Sequence, residues 1–141
     1  QLAIESTTGD AMLEVAQRAQ TDDSPAIRLL ADLQANMVGQ GFLLLNASLV
    51  FRPDVPPVKD AKAWQPFMQA VLQGLADAAD KRGESLPTLV LWGKIAEQLN
   101  AYPVTARFPK AVAEHPYNLS FIGNASMQAL FGPMQLLRRA S

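Results

Sequence analysis

The sequence predicts an α/β domain built on a short, mostly parallel sheet. Three observations carry that expectation. Short continuous apolar runs at 42–47, 88–92 and 111–114 suit strands covered on both faces. Longer stretches with apolar residues at helical spacing alternate with them, the order expected of parallel strands joined by helices. Gly93 follows the second apolar run directly and opens the next helix.

Taken in order, residues 1–8 read as a short extended or loop piece, and 10–19 as a short helix. Asp10 caps that helix, and Met12, Leu13, Val15 and Ala16 give it a face. Ser24 is a natural N-cap with Pro25 at the first helical position. The helix this starts, 25 to about 37, buries Ile27, Leu30, Ala31 and Met37, and Gly39 and Gly41 close it. After the 42–47 strand, 53–57 is an irregular loop. A long helix over 62–80 carries Trp64, Phe67, Val71, Leu72 and Leu75 at helical spacing, and 81–85 is a turn. The strand at 88–92 leads into a helix over 93–99; the strand at 111–114 follows. A C-terminal helix over 127–139 is interrupted near Gly132 and Pro133. There is no internal repeat and no low-complexity tract.

Composition narrows the function classes. A chain of 141 residues, 49% hydrophobic and 18% charged, suits one globular domain over 1–141 with a real core. No apolar run approaches the ~20 residues of a membrane helix, so no membrane partner is expected. With no cysteine and one histidine there is no disulfide framework, and neither a thiolate metal site nor a zinc site is expected. A net charge of −1 and a pI of 5.8 are a poor footprint for binding through phosphate neutralisation alone. Gln1 opens the chain without Met or a basic leader, which reads as a processed or trimmed start.

Ligands of open parallel sheets sit beyond the carboxyl ends of the strands. On this reading Asn46 ends the first strand, Gly93 follows the second and His115 ends the third, so all three share a rim. An Asn amide offers a donor and an acceptor in one plane, and with an imidazole opposite it can read the polar edge of a flat ring. The plainer roles are a turn former or cap for Asn46 and a packed or solvated side chain for His115.

The flanks of these residues resemble the uracil-DNA glycosylase family. Gly41-Phe42-Leu43-Leu44-Leu45-Asn46-Ala47 is similar to that family's Gly-Val-Leu-Leu-Leu-Asn strand. Ala63-Trp64-Gln65-Pro66-Phe67 with Ala70-Val71 resembles its Gly-Trp-Glu-x-Phe-Thr-Asp-Ala-Val helix. Leu91-Trp92-Gly93-Lys94 with Ala96 resembles its Leu-Trp-Gly-x-x-Ala turn. His115-Pro116-Tyr117-Asn118-Leu119-Ser120 resembles its His-Pro-Ser-Pro-Leu-Ser loop, and Phe121-Ile122-Gly123 the Phe-Phe-Gly after it. Ser24-Pro25-Ala26-Ile27 matches the end of its proline-rich loop and the following helix start. The motifs come in family order and run over 24–131.

The resemblance implies a three-layer α/β/α fold, incomplete or modified at its N-terminal part, acting on uracil-containing DNA, single- or double-stranded, in base-excision repair, with no metal and no cofactor. It implies that Asn46 reads the uracil edge and that His115 is the catalytic electrophile at uracil O2. Leu119 becomes the wedge that replaces a flipped base, Ser120 lies near a phosphate, and Ser24 and Gly93 contact DNA. Ile4 stands where the family stacks a Phe on uracil, within Leu2-Ala3-Ile4-Glu5-Ser6. Tyr117 and Asn118 replace the Ser and Pro of the loop. The family's water-activating Gly-Gln-Asp-Pro-Tyr-His segment does not occur in the sequence. Asp10, Asp22, Asp23 and Asp54 are the other carboxylates weighed as a general base, and caps, turns and solvated loops account for them all.

The chain is therefore expected to be either a piece of a longer glycosylase or a degenerate homologue. As a homologue without chemistry it becomes a DNA-binding or replication-accessory module, with a replication protein as partner, or a protein-interaction domain. A second chain or an N-terminal segment is expected to complete the sheet, and the location to be cytoplasmic, in a bacterial or phage-infected cell. Either DNA reading requires Arg138, Arg139, Arg52, Lys59, Lys62, Lys94, Arg107 and Lys110 to converge on the Asn46/His115 rim.

Overall fold

A computed structural model of the chain describes residues 9–21, 24–50 and 52–139. The chain divides into two compact units, one of 1–44 with 117–141, the other of 45–116.

The 45–116 unit is built on helix α3 (Pro57–Arg82) and two strands, β1 (Leu89–Trp92) and β2 (Lys110–Ala113). Pro57 occupies the first helical position of α3, where its missing N–H costs nothing, and Gly83 ends the helix in the left-handed region at φ +65°. The helix outruns the predicted 62–80 at both ends, because the proline start and the glycine stop lie outside the apolar repeat. β1 and β2 are parallel, Leu89 opposite Lys110 and Trp92 opposite Ala113. A parallel pair needs a crossover. Here it is helix α4 (Gly93–Glu97) followed by 3₁₀ turns at Gln98–Ala101 and Pro103–Arg107. Met68 and Leu72 of α3, Leu91 of β1, and Leu99 and Tyr102 of the crossover form the core of this unit. Thr105 is fully buried there, and its hydroxyl reaches the carbonyls of Tyr102 (2.8 Å) and Leu99 (3.1 Å).

In the other unit, helix α1 (Gly9–Ala19) forms as the sequence predicts. Helix α2 (Leu30–Gly39) does not begin at Pro25. Residues around Ala26 instead pair with the C-terminal tail. Ala26 and Arg138 form an antiparallel bridge, the Ile27 N–H donates to Leu137 O (2.9 Å), and the Arg139 N–H donates to Pro25 O (2.7 Å). Long-range pairing overrides the local Ser-Pro start signal. The helix starts three residues after Ile27, where the Asp32 carboxylate accepts from the backbone N–H of Leu29 (3.1 Å) and Arg28 (3.3 Å). Asn36 of α2 holds the same tail, its amide donating to Leu136 O and Arg138 O at 2.7 Å each. The C-terminal helix is short for the same reason. Helix α5 (Ala125–Phe131) is capped by the Asn124 side chain, a 3₁₀ turn (Gly132–Met134) follows, and the tail turns back to its bridge.

The predicted strand at 42–47 is not one. Its residues join no ladder, and Leu43, Leu44 and Leu45 are 62%, 41% and 42% exposed. An all-apolar run is stable as a strand only between paired neighbours. Among the described residues the sheet has two strands, β1 and β2, and the run pairs with neither.

Candidate functional site

Because β1 and β2 run parallel, their carboxyl ends, Trp92 and Ala113, lie at one rim. Gly93 follows Trp92 immediately and His115 comes two residues after Ala113. Gly93 adopts φ +78°, a region that glycine enters without steric cost, and this turns the chain from β1 into α4. The turn brings Gly93 against His115. A Cβ placed on Gly93 would lie 3.3 Å from His115 Cβ, 3.8 Å from its Cα and 3.8 Å from its Cδ2. The histidine backbone and the Cδ2 edge of the ring therefore rest on a glycine, and the ring is exposed beyond it. An imidazole seated in this way can present an N–H to a ligand oxygen.

The other predicted residues distribute as follows. Asn46 is exposed in the irregular segment after α2 and ends no strand, because the apolar run before it joins no ladder. Leu119 is 64% exposed at the start of a 3₁₀ turn (Leu119–Phe121), and Ser120 is exposed beside it. Ser24 is buried, and its hydroxyl accepts from the Ala26 N–H (3.2 Å). Ile4, Asp22 and Asp23 lie outside the described residues. Asp10 is exposed in the first turn of α1, and Asp54 is exposed in a turn before α3. The groups of carboxylates and the histidine that could hold a metal ion number none among the described residues. No helix among them is long and apolar enough to cross a membrane.

Two of the cations are engaged by carboxylates. Arg52 donates to the buried Asp60 carboxylate through Nε (3.0 Å) and Nη2. That hydrogen bond, and then the carboxylate charge, raise the Arg52 pKa above its ordinary value. Arg107 reaches both Asp80 oxygens at 2.8 Å, and its pKa is raised by this hydrogen bond and by the charges of Asp80 and Asp77. Lys110 opens β2, at the end of the ladder away from His115. Lys59 and Lys62 belong to the first turns of α3. Lys94 follows Gly93 directly and stands at the rim.

The contact between Gly93 and His115 is what reading the sequence missed. The signal was there in part, a glycine between an apolar strand and a helix, but the partner across the ladder follows only from the parallel register.

No family model matches the chain. Among curated proteins it is similar to a uracil-DNA glycosylase of Leuconostoc citreum, 33% identical over 82 residues, which is 57% of this chain and 35% of that one. It is similar also to a uracil-DNA glycosylase of a Nocardioides species, 33% identical over 81 residues, 57% of this chain and 32% of the other. Among solved structures the wild-type UNG of Nitratifractor salsuginis matches with a TM-score of 0.73 at 30% identity, over 96% of this chain and 49% of that one. A point mutant of the same UNG matches with a TM-score of 0.71 at 31% identity, over 86% and 47%. The chain thus spans about a third of the length of these curated relatives and about half that of the solved chains. At these identities the likeness is one of sequence as well as fold: the chain is related to the uracil-DNA glycosylase family over part of its length, and its architecture is a partial α/β fold of that kind.

Proposed function

We propose that this chain is the base-recognising part of a uracil-DNA glycosylase-like repair protein, with DNA as its partner. The observation that carries this reading is the seat of His115 on Gly93 at the carboxyl ends of β1 and β2. In the proposed chemistry the His115 imidazole donates a hydrogen bond to O2 of a flipped uracil. Negative charge develops on that oxygen as the glycosidic bond breaks, so a fixed donor there stabilises the transition state more than the ground state. Asn46 bonds N3–H and O4 of the same ring, a pattern that cytosine reverses. Leu119 fills the place in the stack that the flipped base leaves. The protein then works where DNA is, inside a bacterial or phage-infected cell.

A water-activating carboxylate belongs to the segment that the sequence lacks, so turnover calls for a complementing polypeptide. The edges of the two-stranded sheet, which pair with no further strand among the described residues, are where such a polypeptide, a second chain or an N-terminal segment, would join.

The test is uracil excision from a single-stranded uracil-containing oligonucleotide, together with uracil binding by the chain alone. Uracil-dependent binding that Asn46→Ala and His115→Ala each weaken supports the reading; binding indifferent to uracil removes it. A second reading, a protein-interaction domain on this scaffold, is favoured by the engagement of Arg52 and Arg107 in ion pairs with Asp60 and Asp80.

A further inference from the structure

We propose that the outer edge of β2 is a self-association surface, to which a second copy of this chain adds its own β2 in the antiparallel sense. The two small sheets then become one of four strands.

β2 and the residue after it read Lys110-Ala111-Val112-Ala113-Glu114. From either end the segment runs charge, small residue, valine, small residue, opposite charge. Lys110, Val112 and Glu114 are all exposed, Val112 to 38%. Residues two apart along a strand share a face, so the three form one row.

The backbone turns outward at the same positions. The Leu89 N–H donates to Pro109 O (2.8 Å), so Pro109, Ala111 and Ala113 direct their peptide groups toward β1. Lys110 and Val112, at the alternate positions, direct theirs away from it. No further strand pairs with them among the described residues.

The charges select the sense and register of the pairing. Parallel addition in register would set Lys110 against Lys110 and Glu114 against Glu114, and like charges directly opposite are destabilising. Antiparallel addition centred on Val112 sets Lys110 of each copy against Glu114 of the other. The two valines then lie opposite each other on the two-fold axis and exchange N–H···O bonds, while Ala111 and Ala113 face each other across it. A carboxylate has about four acceptor sites, so Glu114 takes the second copy's Lys110 beside any partner in its own chain.

Pro116 is the next residue of outward parity, and without an N–H it ends the added ladder. Two short strands make a small contact, so the association is expected to be weak. A two-fold contact uses the same edge of both copies and closes at a pair. The outer edge of β1 is left to the complementing polypeptide.

The test is sedimentation of the chain from about 1 μM to about 1 mM, with charge reversals at the two ends of the row. The parent is expected to pass from monomer to dimer, and its Val112 amide to exchange more slowly as concentration rises. Lys110→Glu and Glu114→Lys each set like charges opposite, and each is expected to weaken the dimer about tenfold. An equimolar mixture of the two variants restores opposite charges and is expected to recover association, as is the double variant Lys110→Glu/Glu114→Lys. Recovery in the mixture also shows that both single variants are folded. A parent that stays monomeric throughout overturns the proposal. So does a dimer indifferent to both reversals, which would assign association to another face, and so does loss in the single variants with no recovery in the mixture or the double variant. A Val112 amide slowed by a complementing polypeptide, and not by the chain's own concentration, assigns this edge to that polypeptide and overturns the proposal as well.

Discussion

Gly93 stands so near His115 that a Cβ on the glycine would meet the histidine Cβ at 3.3 Å. The two residues belong to the turns that follow neighbouring parallel strands, and the absent side chain at one sets the height of the ring at the other. The positive φ of Gly93 adds a second constraint, because an L side chain in that region costs about 1–2 kcal/mol. Gly93→Ala is expected to lower stability by about that amount and to displace the imidazole. His115 is the single histidine, so its Cδ2–H resonance is one unambiguous NMR signal. A variant whose imidazole resonances coincide with the parent's would show that the contact does not seat the ring.

Thr105 has no solvent exposure, and its hydroxyl is shared between the carbonyls of Tyr102 and Leu99. Thr105→Val keeps the shape and removes the hydrogen bond. Neither carbonyl is orphaned, since Leu99 O still accepts from the Tyr102 N–H (3.0 Å) and Tyr102 O from the Thr105 N–H (3.0 Å). The expected cost is therefore the bond itself, about 1 kcal/mol, read as a lower urea midpoint. A loss several times larger would mean that the hydroxyl does more than close this turn.

Burial raises the Tyr102 phenol pKa above its ordinary 10.0. The unfolded chain ionises this phenol at lower pH than the folded chain. Its contribution to stability is therefore whole below about pH 10 and is lost as pH rises through the folded pKa. Unfolding midpoints followed into alkali should fall less steeply for Tyr102→Phe than for the parent. Identical slopes would mean that this phenol titrates alike in both states.

The Asn36 amide spans two carbonyls of the C-terminal tail, at Leu136 and Arg138. Asn36→Ala is expected to cost about 1–2 kcal/mol, most of it local to the tail. Amide hydrogen exchange at Ile27 and Arg139, the two N–H groups that pair across the bridge, should accelerate while exchange in α3 stays as it was. Unchanged protection at both amides would assign the tail's anchorage to the bridge alone.

These contrasts explain what could be read from the residues. Helix α3 and the strands β1 and β2 were legible because each is decided locally, by periodicity, by an apolar run, and by proline and glycine at the ends. The helix expected at Pro25 was not, since the fate of Ala26 depends on Arg138, more than a hundred positions away. The run at 42–47 has strand composition, but composition cannot supply the neighbouring strands that would make it one. At the site, His115 and Gly93 were found by motif and position. Their contact needed the register of Trp92 against Ala113.

The two-stranded sheet has a further consequence. Each of its strands turns one hydrogen-bonding edge away from the other, and within the same unit Leu45, Leu49 and Val50 are exposed. Edges and side chains of this kind template pairing with any available polypeptide. Association that favours the folded form obeys mass action, so it raises the apparent melting point with protein concentration. For this chain a melting temperature then describes the solution together with the molecule, and dilution becomes a way to measure how much of its stability is borrowed from other polypeptides.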